Sequence, residues 1–469
     1  MREAAAVSTP TQRPQSPTRS DALARAASEV VGGPAGRRIG GAGPWWSAAL
    51  PVCLALSALL VAVGAVAKHH CRTLGWNSPD QFFHLCYSDA PVVYTSSGLA
   101  RGLGPYAEGV TLSQPPLTAG LAWLVGRFAP HEVTIAAQRA YFDATAVVVV
   151  LATLVVVAAA SVAAGRRRSF DVLLVAVCPL LAITGLVSLD LAGVALATAG
   201  LACWARRRPV AAGVLLGLAV AARTYPALLL LALLLLALRA GRVRAFATTA
   251  LAAVVTWLVV DVPVALTSFD GWSAYLTGFF PQRAGYGSLW LLPQLVEQAT
   301  EATSQDGLPA GAVTVLTLAA WVVWSLLVTV FVLWAPRRPR LPQVAFLLVA
   351  GFCVLGSAFP VQASLWLLPL AALAVPRWRD HVVWWVTEAL YFGAVWLFIA
   401  GQSTPTRGLP PELYAVFVLL RAAGIAWLVV AVVRDARSPA RDLVRADGDD
   451  DPAGGVLDGA PDRLVVRVA

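Results

Sequence analysis

Long apolar runs, most of them closed by a cluster of arginines, recur along the chain. A run of about 20 apolar residues is the length of a helix that crosses a bilayer. In lipid every backbone polar group needs an internal partner, so only helices and closed barrels can span. Barrel strands alternate apolar and polar side chains. These runs are continuous, which leaves an all-α polytopic helical membrane protein. Composition agrees: of 469 residues, 58% are hydrophobic and 13% charged, with a mean hydropathy of +0.71. A soluble domain carries roughly 25% charge, so water-soluble enzyme folds are excluded.

The net charge of +9 has the size of a nucleic-acid signal, but its placement is topological. Of 35 basic residues one is lysine, Lys68. The arginines gather between apolar runs, at 166–168, 206–208, 239–244, 337–340 and 377–379. That is the positive-inside pattern. Twelve spans fit it: 44–67, 137–164, 170–187, 189–205, 209–222, 224–238, 245–266, 310–334, 341–359, 363–375, 382–400 and 413–433. This arrangement puts every arginine cluster on the cytoplasmic face and both long polar segments, 68–132 and 268–308, on the outer face. Both termini are then cytoplasmic, in a multi-pass protein of the plasma membrane. Residues 1–43 have no apolar run and read as a disordered tail, and the first apolar run begins only near Trp45, so it is expected to be retained. The membrane domain covers 44–433, and 434–469 reads as a disordered acidic tail. Its Asp447-Gly-Asp-Asp-Asp451 string resembles a metal–nucleotide-sugar motif, but solvated acidic runs are the commoner case.

Cys53, Cys178, Cys203 and Cys353 lie in apolar runs and read as small core residues. Cys71 and Cys86 share the first outer segment, where a disulfide can persist; two unrelated thiols are the alternative. His69-His70-Cys71 lacks a second His/Cys pair at ligand spacing, so neither a metal site nor another cofactor is expected.

The residues left on the outer face are the candidates for chemistry. Ser88 or Asp89 can cap a short helix with Pro91 in its first turn, which is one reading of Asp89; the other is a general base beside a lipid-facing cavity. Residues 114–129, from Gln114-Pro115-Pro116, are too short for a comfortable span and read as an interfacial helix. Arg223-Thr224-Tyr225-Pro226 breaks an apolar run at a hairpin tip, where a guanidinium can grip phosphate or snorkel to headgroups. Asp190 opens another span, where a carboxylate also suits the helix dipole. Glu388 and Arg421 lie inside spans and are expected to pair. Arg139, Arg283, Tyr286, Trp290 and Gln362 complete the polar and aromatic set on this face.

Several strings, taken in order, resemble the actinobacterial polyprenyl-phosphate-mannose-dependent α-mannosyltransferases of the GT-C glycosyltransferase superfamily. They are Cys86-Tyr-Ser-Asp89 with Tyr94, Gly104-Pro-Tyr106, Pro115-Pro-Leu117, Asp190, Arg223-Thr-Tyr-Pro226, Gly287-Ser-Leu-Trp290, Gln362 with Leu365-Trp-Leu-Leu-Pro369, Pro376-Arg-Trp-Arg-Asp380 and Asp450-Asp-Pro-Ala-Gly-Gly455. The resemblance implies a GT-C fold with interfacial helices in the first outer loop. It also implies inverting transfer of a sugar, mannose in that family, from a polyprenyl-phosphate donor to a lipid or glycan acceptor. Asp89 takes the base role. Arg223, Arg283 and Arg139 are the expected phosphate ligands, and Tyr94, Gln114, Asp190, Tyr225, Tyr286, Trp290 and Gln362 the expected substrate contacts. Three positions depart from the family pattern: Gln114 stands for an acidic residue, Arg223 for lysine, and Ser188-Leu-Asp190 for Asn-x-Asp. A transporter or flippase is the competing class, and a non-catalytic accessory protein a third. Transporters commonly carry internal repeats and midplane charges, whereas this sequence shows no repeat and collects its polar residues at one face.

Overall fold

The computed structural model of the chain describes residues 49–110, 112–280, 283–300, 306–309, 311–438 and 440–465; the expected N-terminal tail lies outside these. Among the described residues all regular structure is helical. Among the described residues six helices are long and apolar enough to cross a bilayer: α1 (Ala49–Ala67), α4 (Ile135–Ala164), α8 (Val243–Thr267), α9 (Ala312–Trp334), α12 (Trp378–Ser403) and α13 (Pro411–Arg437). Five shorter apolar helices lie among them: α5 (Asp190–Ala205), α6 (Pro209–Ala222), α7 (Ala227–Ala240), α10 (Leu341–Val354) and α11 (Ser364–Ala374). The first polar segment forms α2 (Asp89–Ser96) and α3 (Pro116–Gly126), the latter inside the stretch expected to be interfacial.

One expected span is not a single helix. Residues 170–187 break into Leu173–Ala176 and Leu180–Ile183. Pro179 lies between the two pieces, and proline removes a backbone donor and clashes with the preceding turn. The unwound end then has free carbonyls: Val187 accepts from the Asp89 amide at 2.7 Å, and Leu186 from the Ser88 hydroxyl at 2.7 Å. The broken helix thus anchors the start of α2.

The shortness of α6 and α7 matters as much. Each has 14 residues, about 21 Å of helix, against a hydrocarbon core of roughly 30 Å. Both run from an arginine cluster to the Arg223–Pro226 turn. With the clusters at one headgroup layer, that turn stops well below the other. Close packing holds α6 in place. A Cβ on Gly213 would meet the Thr249 carbonyl oxygen at 2.3 Å, and one on Gly217 the Ala253 oxygen at 2.4 Å. This Gly-x-x-x-Gly face lets α6 and α8 approach backbone to backbone.

α10 and α11 are apolar except for Gln343 and Ser364 and are buried nearly all round, as the innermost helices of a bundle must be. α8 and α9 instead expose Leu251, Val255, Val259, Val315, Val322 and Leu326. Apolar helix faces of this kind have lipid as their solvent. Inside the bundle Glu388 and Arg421 pair at 2.9 Å, both almost wholly buried.

The C-terminal segment corrects an expectation. Residues 440–465 do not form a loose acidic tail but pack across the arginine clusters. Asp442 holds Arg340 at 2.7 Å, Asp462 holds Arg239 at 2.7 Å and Arg338 at 2.6 Å, and Asp447 pairs with Arg168. Trp204 donates its indole N–H to the Gly454 carbonyl at 2.8 Å. The clusters therefore carry internal partners as well as a topological signal. Arg340 and Asp442 are 2% and 0% exposed. Removing one member of a buried pair leaves an uncompensated charge, so Arg340→Met is expected to cost about 3–5 kcal/mol in detergent unfolding. A loss under about 1 kcal/mol, the range of exposed pairs, would contradict this geometry.

Candidate active site

At the end of the bundle opposite the arginine clusters, short helices leave two adjoining cavities. The larger, about 370 Å³, is lined by Asp190, Tyr275, Trp321, Phe352 and Trp366 among others. The smaller, about 70 Å³, is lined by Asp89, Tyr141, Ser188 and Thr118 among others. Gln114, Arg223 and Gln362 belong to both and form the boundary between them.

Arg223 ends α6 with extended backbone. Its Nη2 meets Asp190 Oδ1 at 2.5 Å, its Nε the same oxygen at 3.0 Å, and its Nη1 Gln114 Oε1 at 2.5 Å. Of five guanidinium donors, two remain for another ligand. Asp190, at the start of α5, also accepts from Ser188 at 2.7 Å and from the Trp366 indole at 2.7 Å. A Cβ on Gly193, one turn along α5, would lie 3.1 Å from Arg223 Cγ, so the missing side chain makes room for the arginine stem. Thr118 of α3 donates to the Ala222 carbonyl at 2.6 Å and ties the interfacial helix to this turn.

Asp89 is not a helix cap. Ser88 is the N-cap residue of α2, and its hydroxyl bonds elsewhere. The half-buried Asp89 carboxylate instead accepts from Gln362 Nε2 at 3.2 Å. Burial pushes its pKa up; a hydrogen bond from Tyr87 pulls it down, the charge of Asp190 pushes it up, and Arg223 and Lys68 pull it down, leaving it above the ordinary value. Lys68, the chain's one lysine, is 2% exposed and donates to the Tyr87 carbonyl at 2.6 Å. Burial lowers its pKa to about 7 against the pull of Asp89. Sequence reasoning missed Lys68 as a site residue. Its singularity among arginines was the available signal.

Gln362 is placed by the buried ion pair. Arg421 donates to the Phe359 carbonyl, to the Pro360 carbonyl at 3.1 Å and to Ser364 at 2.9 Å, and so holds the turn before α11. Tyr286 and Trp290 brace that turn rather than line either cavity. The Tyr286 carbonyl accepts from the Phe359 amide at 3.0 Å, and the Trp290 indole donates to Leu355 at 3.0 Å. Tyr94 and Tyr225 are wholly buried behind the walls, stacked on Tyr141 at 4.3 Å and on Trp366 at 4.8 Å. Arg283 is exposed and pairs with Asp306 at 2.9 Å. Arg139 is exposed on α4 and borders neither cavity. Cys71 and Cys86 form a disulfide that fixes the chain just before Asp89.

The bundle thus places a carboxylate, an amide and a paired guanidinium around two adjoining cavities. The chain matches the model of glycosyltransferase family 87 over residues 114–359, more than half its length, and belongs to that family. Gln114, Asp190 and Arg223 lie inside the matched region, and Asp89 lies before it. No curated protein matches the chain. Among solved structures it is similar to the apo oligosaccharyltransferase of Archaeoglobus fulgidus, with 14% identity over 81% of this chain and a TM-score of 0.37. A second similar structure is the oligosaccharyltransferase AglB of that organism with an inhibitory peptide and a dolichol-phosphate, at 13% identity over 81% of this chain and a TM-score of 0.36. This chain spans 55% of each.

Asp190 and Arg223 share one bond network, so their substitutions will not add. A double-mutant cycle of Asp190→Asn and Arg223→Met, read by unfolding in detergent, is expected to give a coupling of about 0.5–3 kcal/mol. Additive losses would mean that the two side chains are independent.

Proposed function

We propose that the protein transfers a sugar, mannose by its family resemblance, from a polyprenyl phosphate to a hydroxyl of a lipid or glycan acceptor, with inversion at the anomeric carbon. One observation carries this reading: Asp89 and the Asp190–Arg223 pair face adjoining cavities that share Arg223, Gln114 and Gln362 as their boundary. A base and a phosphate ligand on either side of one boundary suit a single displacement.

In this mechanism the acceptor hydroxyl enters from the small cavity and hydrogen-bonds Asp89. The carboxylate takes its proton as the oxygen attacks the anomeric carbon from the face opposite the phosphate. The carbon–oxygen bond to phosphate breaks, and the departing polyprenyl phosphate keeps the electron pair. The two unused N–H groups of Arg223 receive its charge. Because Asp190 already neutralises much of that guanidinium, phosphate is gripped by directed donors more than by net charge. The apolar walls Trp321, Phe352 and Trp366 accommodate the first prenyl units. A raised pKa makes Asp89 a stronger base once ionised, and Lys68 and Arg223 favour the ionised form. The positive-inside pattern of the arginine clusters supports a position for the cavities at the outer face of the plasma membrane.

Purified enzyme with polyprenyl-phosphate mannose and a membrane glycolipid tests the assignment. Asp89→Asn is expected to lower kcat roughly 10²–10⁴-fold, the span of a general base. Unchanged turnover would remove Asp89 from the chemistry. The pH profile is a second check. Because the Asp89 pKa is raised, the acidic limb of kcat/KM should fall above the ordinary aspartate value of about 3.9. Lys68→Met removes a cation that lowers this pKa, so the limb should move to still higher pH. A limb that stays in place would take Lys68 out of contact with the base.

A further inference from the structure

Beside the proposed active site, the first polar segment carries a second cluster with different chemistry. His70 lies in the short helix His69–Leu74, Asp80 begins the helix Asp80–Phe83, and His84 follows it. The His70 Nε2 atom lies 2.6 Å from Asp80 Oδ2, and the His84 Nε2 atom lies 3.4 Å from Asp80 Oδ1. The two imidazoles stack with centroids 3.5 Å apart. Both rings thus turn the same nitrogen toward one carboxylate, and the three ligand atoms lie within 4.8 Å of one another.

We propose that His70, Asp80 and His84 form a binding site for a divalent transition-metal ion of the zinc class. Two neutral imidazoles and a carboxylate are the donor set such ions take, with a further position open to water or another oxygen. Metal–nitrogen and metal–oxygen bonds of about 2.0–2.2 Å in a tetrahedron put ligand atoms about 3.4 Å apart. The His84 nitrogen lies 3.4 Å from Oδ1 of Asp80 and the His70 nitrogen 2.6 Å from Oδ2, so an ion held by one of these oxygens needs the carboxylate and the rings to readjust around it. The side chains are 30%, 49% and 49% exposed for His70, Asp80 and His84, so an ion reaches them from solvent.

The backbone presents the ligands in advance. The Cys71–Cys86 disulfide closes the segment one residue after His70 and two after His84. Trp76 donates to the Cys86 carbonyl at 3.1 Å inside the same loop. Phe82, between the ligands, stacks against Tyr87 at 5.3 Å and Trp396 at 5.7 Å. The site departs from the sequence expectation of no metal because its ligands are not the His69-His70-Cys71 string. Cys71 is used by the disulfide, and Asp80 and His84 arrive from 10 and 14 residues beyond His70. A bound ion would stiffen the segment that carries Lys68 and Tyr87. That consequence for transfer rests on the function proposed above, but the binding itself does not.

The test is calorimetric titration of the purified, metal-stripped full chain in detergent with zinc chloride alone, without donor or acceptor. One equivalent is expected to bind, and His84→Ala and Asp80→Asn should each weaken binding by roughly tenfold or more, as loss of a ligand or its support does. A ligand-retaining variant guards against misfolding: His84→Cys should keep one equivalent and, with cobalt, develop a thiolate-to-cobalt charge-transfer band. Absence of a stoichiometric site in the wild type, equal affinity in wild type and His84→Ala, or a cobalt complex of His84→Cys without that band would each overturn the proposal. Sugar transfer is not part of the readout, so a failure here and a failure of the transferase assignment are told apart.

Discussion

A charge among apolar helices must find a partner, because no solvent there can supply one. The pair formed by Asp190 and Arg223 meets this demand and organises the site around it. Each residue terminates a short helix, and neither helix is long enough to carry its charge to the surface. Together they fix the depth of the larger cavity, and through Gln114 they draw the interfacial α3 down onto the bundle. The Glu388–Arg421 pair plays the same part for the turn that carries Gln362. Two ion pairs therefore position two of the three residues that separate the cavities.

The long helices were legible because lipid demands continuous apolar runs. The expected span 209–222 is α6 to the residue, since an arginine cluster closes one end and Arg223 the other. Residues 170–187 were misread as one helix for the converse reason. Apolar content marks burial and says nothing of continuity, and Pro179 breaks the ladder. Topology, which puts hairpin tips and outer loops at one end, brings Asp89, Gln114, Asp190, Arg223 and Gln362 together, but the same reasoning also expects Arg139 and Arg283 there, and they line neither cavity. The roles of Tyr286 and Trp290 could not be anticipated. Trp290 braces the loop through its indole and Tyr286 through its backbone carbonyl, and neither use can be told in sequence from an aromatic that lines a cavity.

The acidic C-terminal segment was misjudged because local composition cannot show a distant partner. Asp442 and Asp462 look solvated along the sequence, yet each meets arginines more than 100 residues away. The arginine clusters thus serve two constraints at once. They carry the positive-inside signal of the sequence, and they hold a polar strap over one end of the bundle.

Lys68 shows why one cation differs from the others. An arginine stays charged in any protein environment and presents a broad planar fork. Behind Asp89 the space is closed and the neighbouring acceptor is the Tyr87 carbonyl, which a compact ammonium suits. Burial also brings the Lys68 pKa to about 7, into the range where its charge responds to its neighbour. A proton arriving on Asp89 removes the main reason for Lys68 to stay charged, and a proton leaving Asp89 restores it. The carboxylate and its buried cation are therefore coupled, and a permanent guanidinium in that place would not respond in this way.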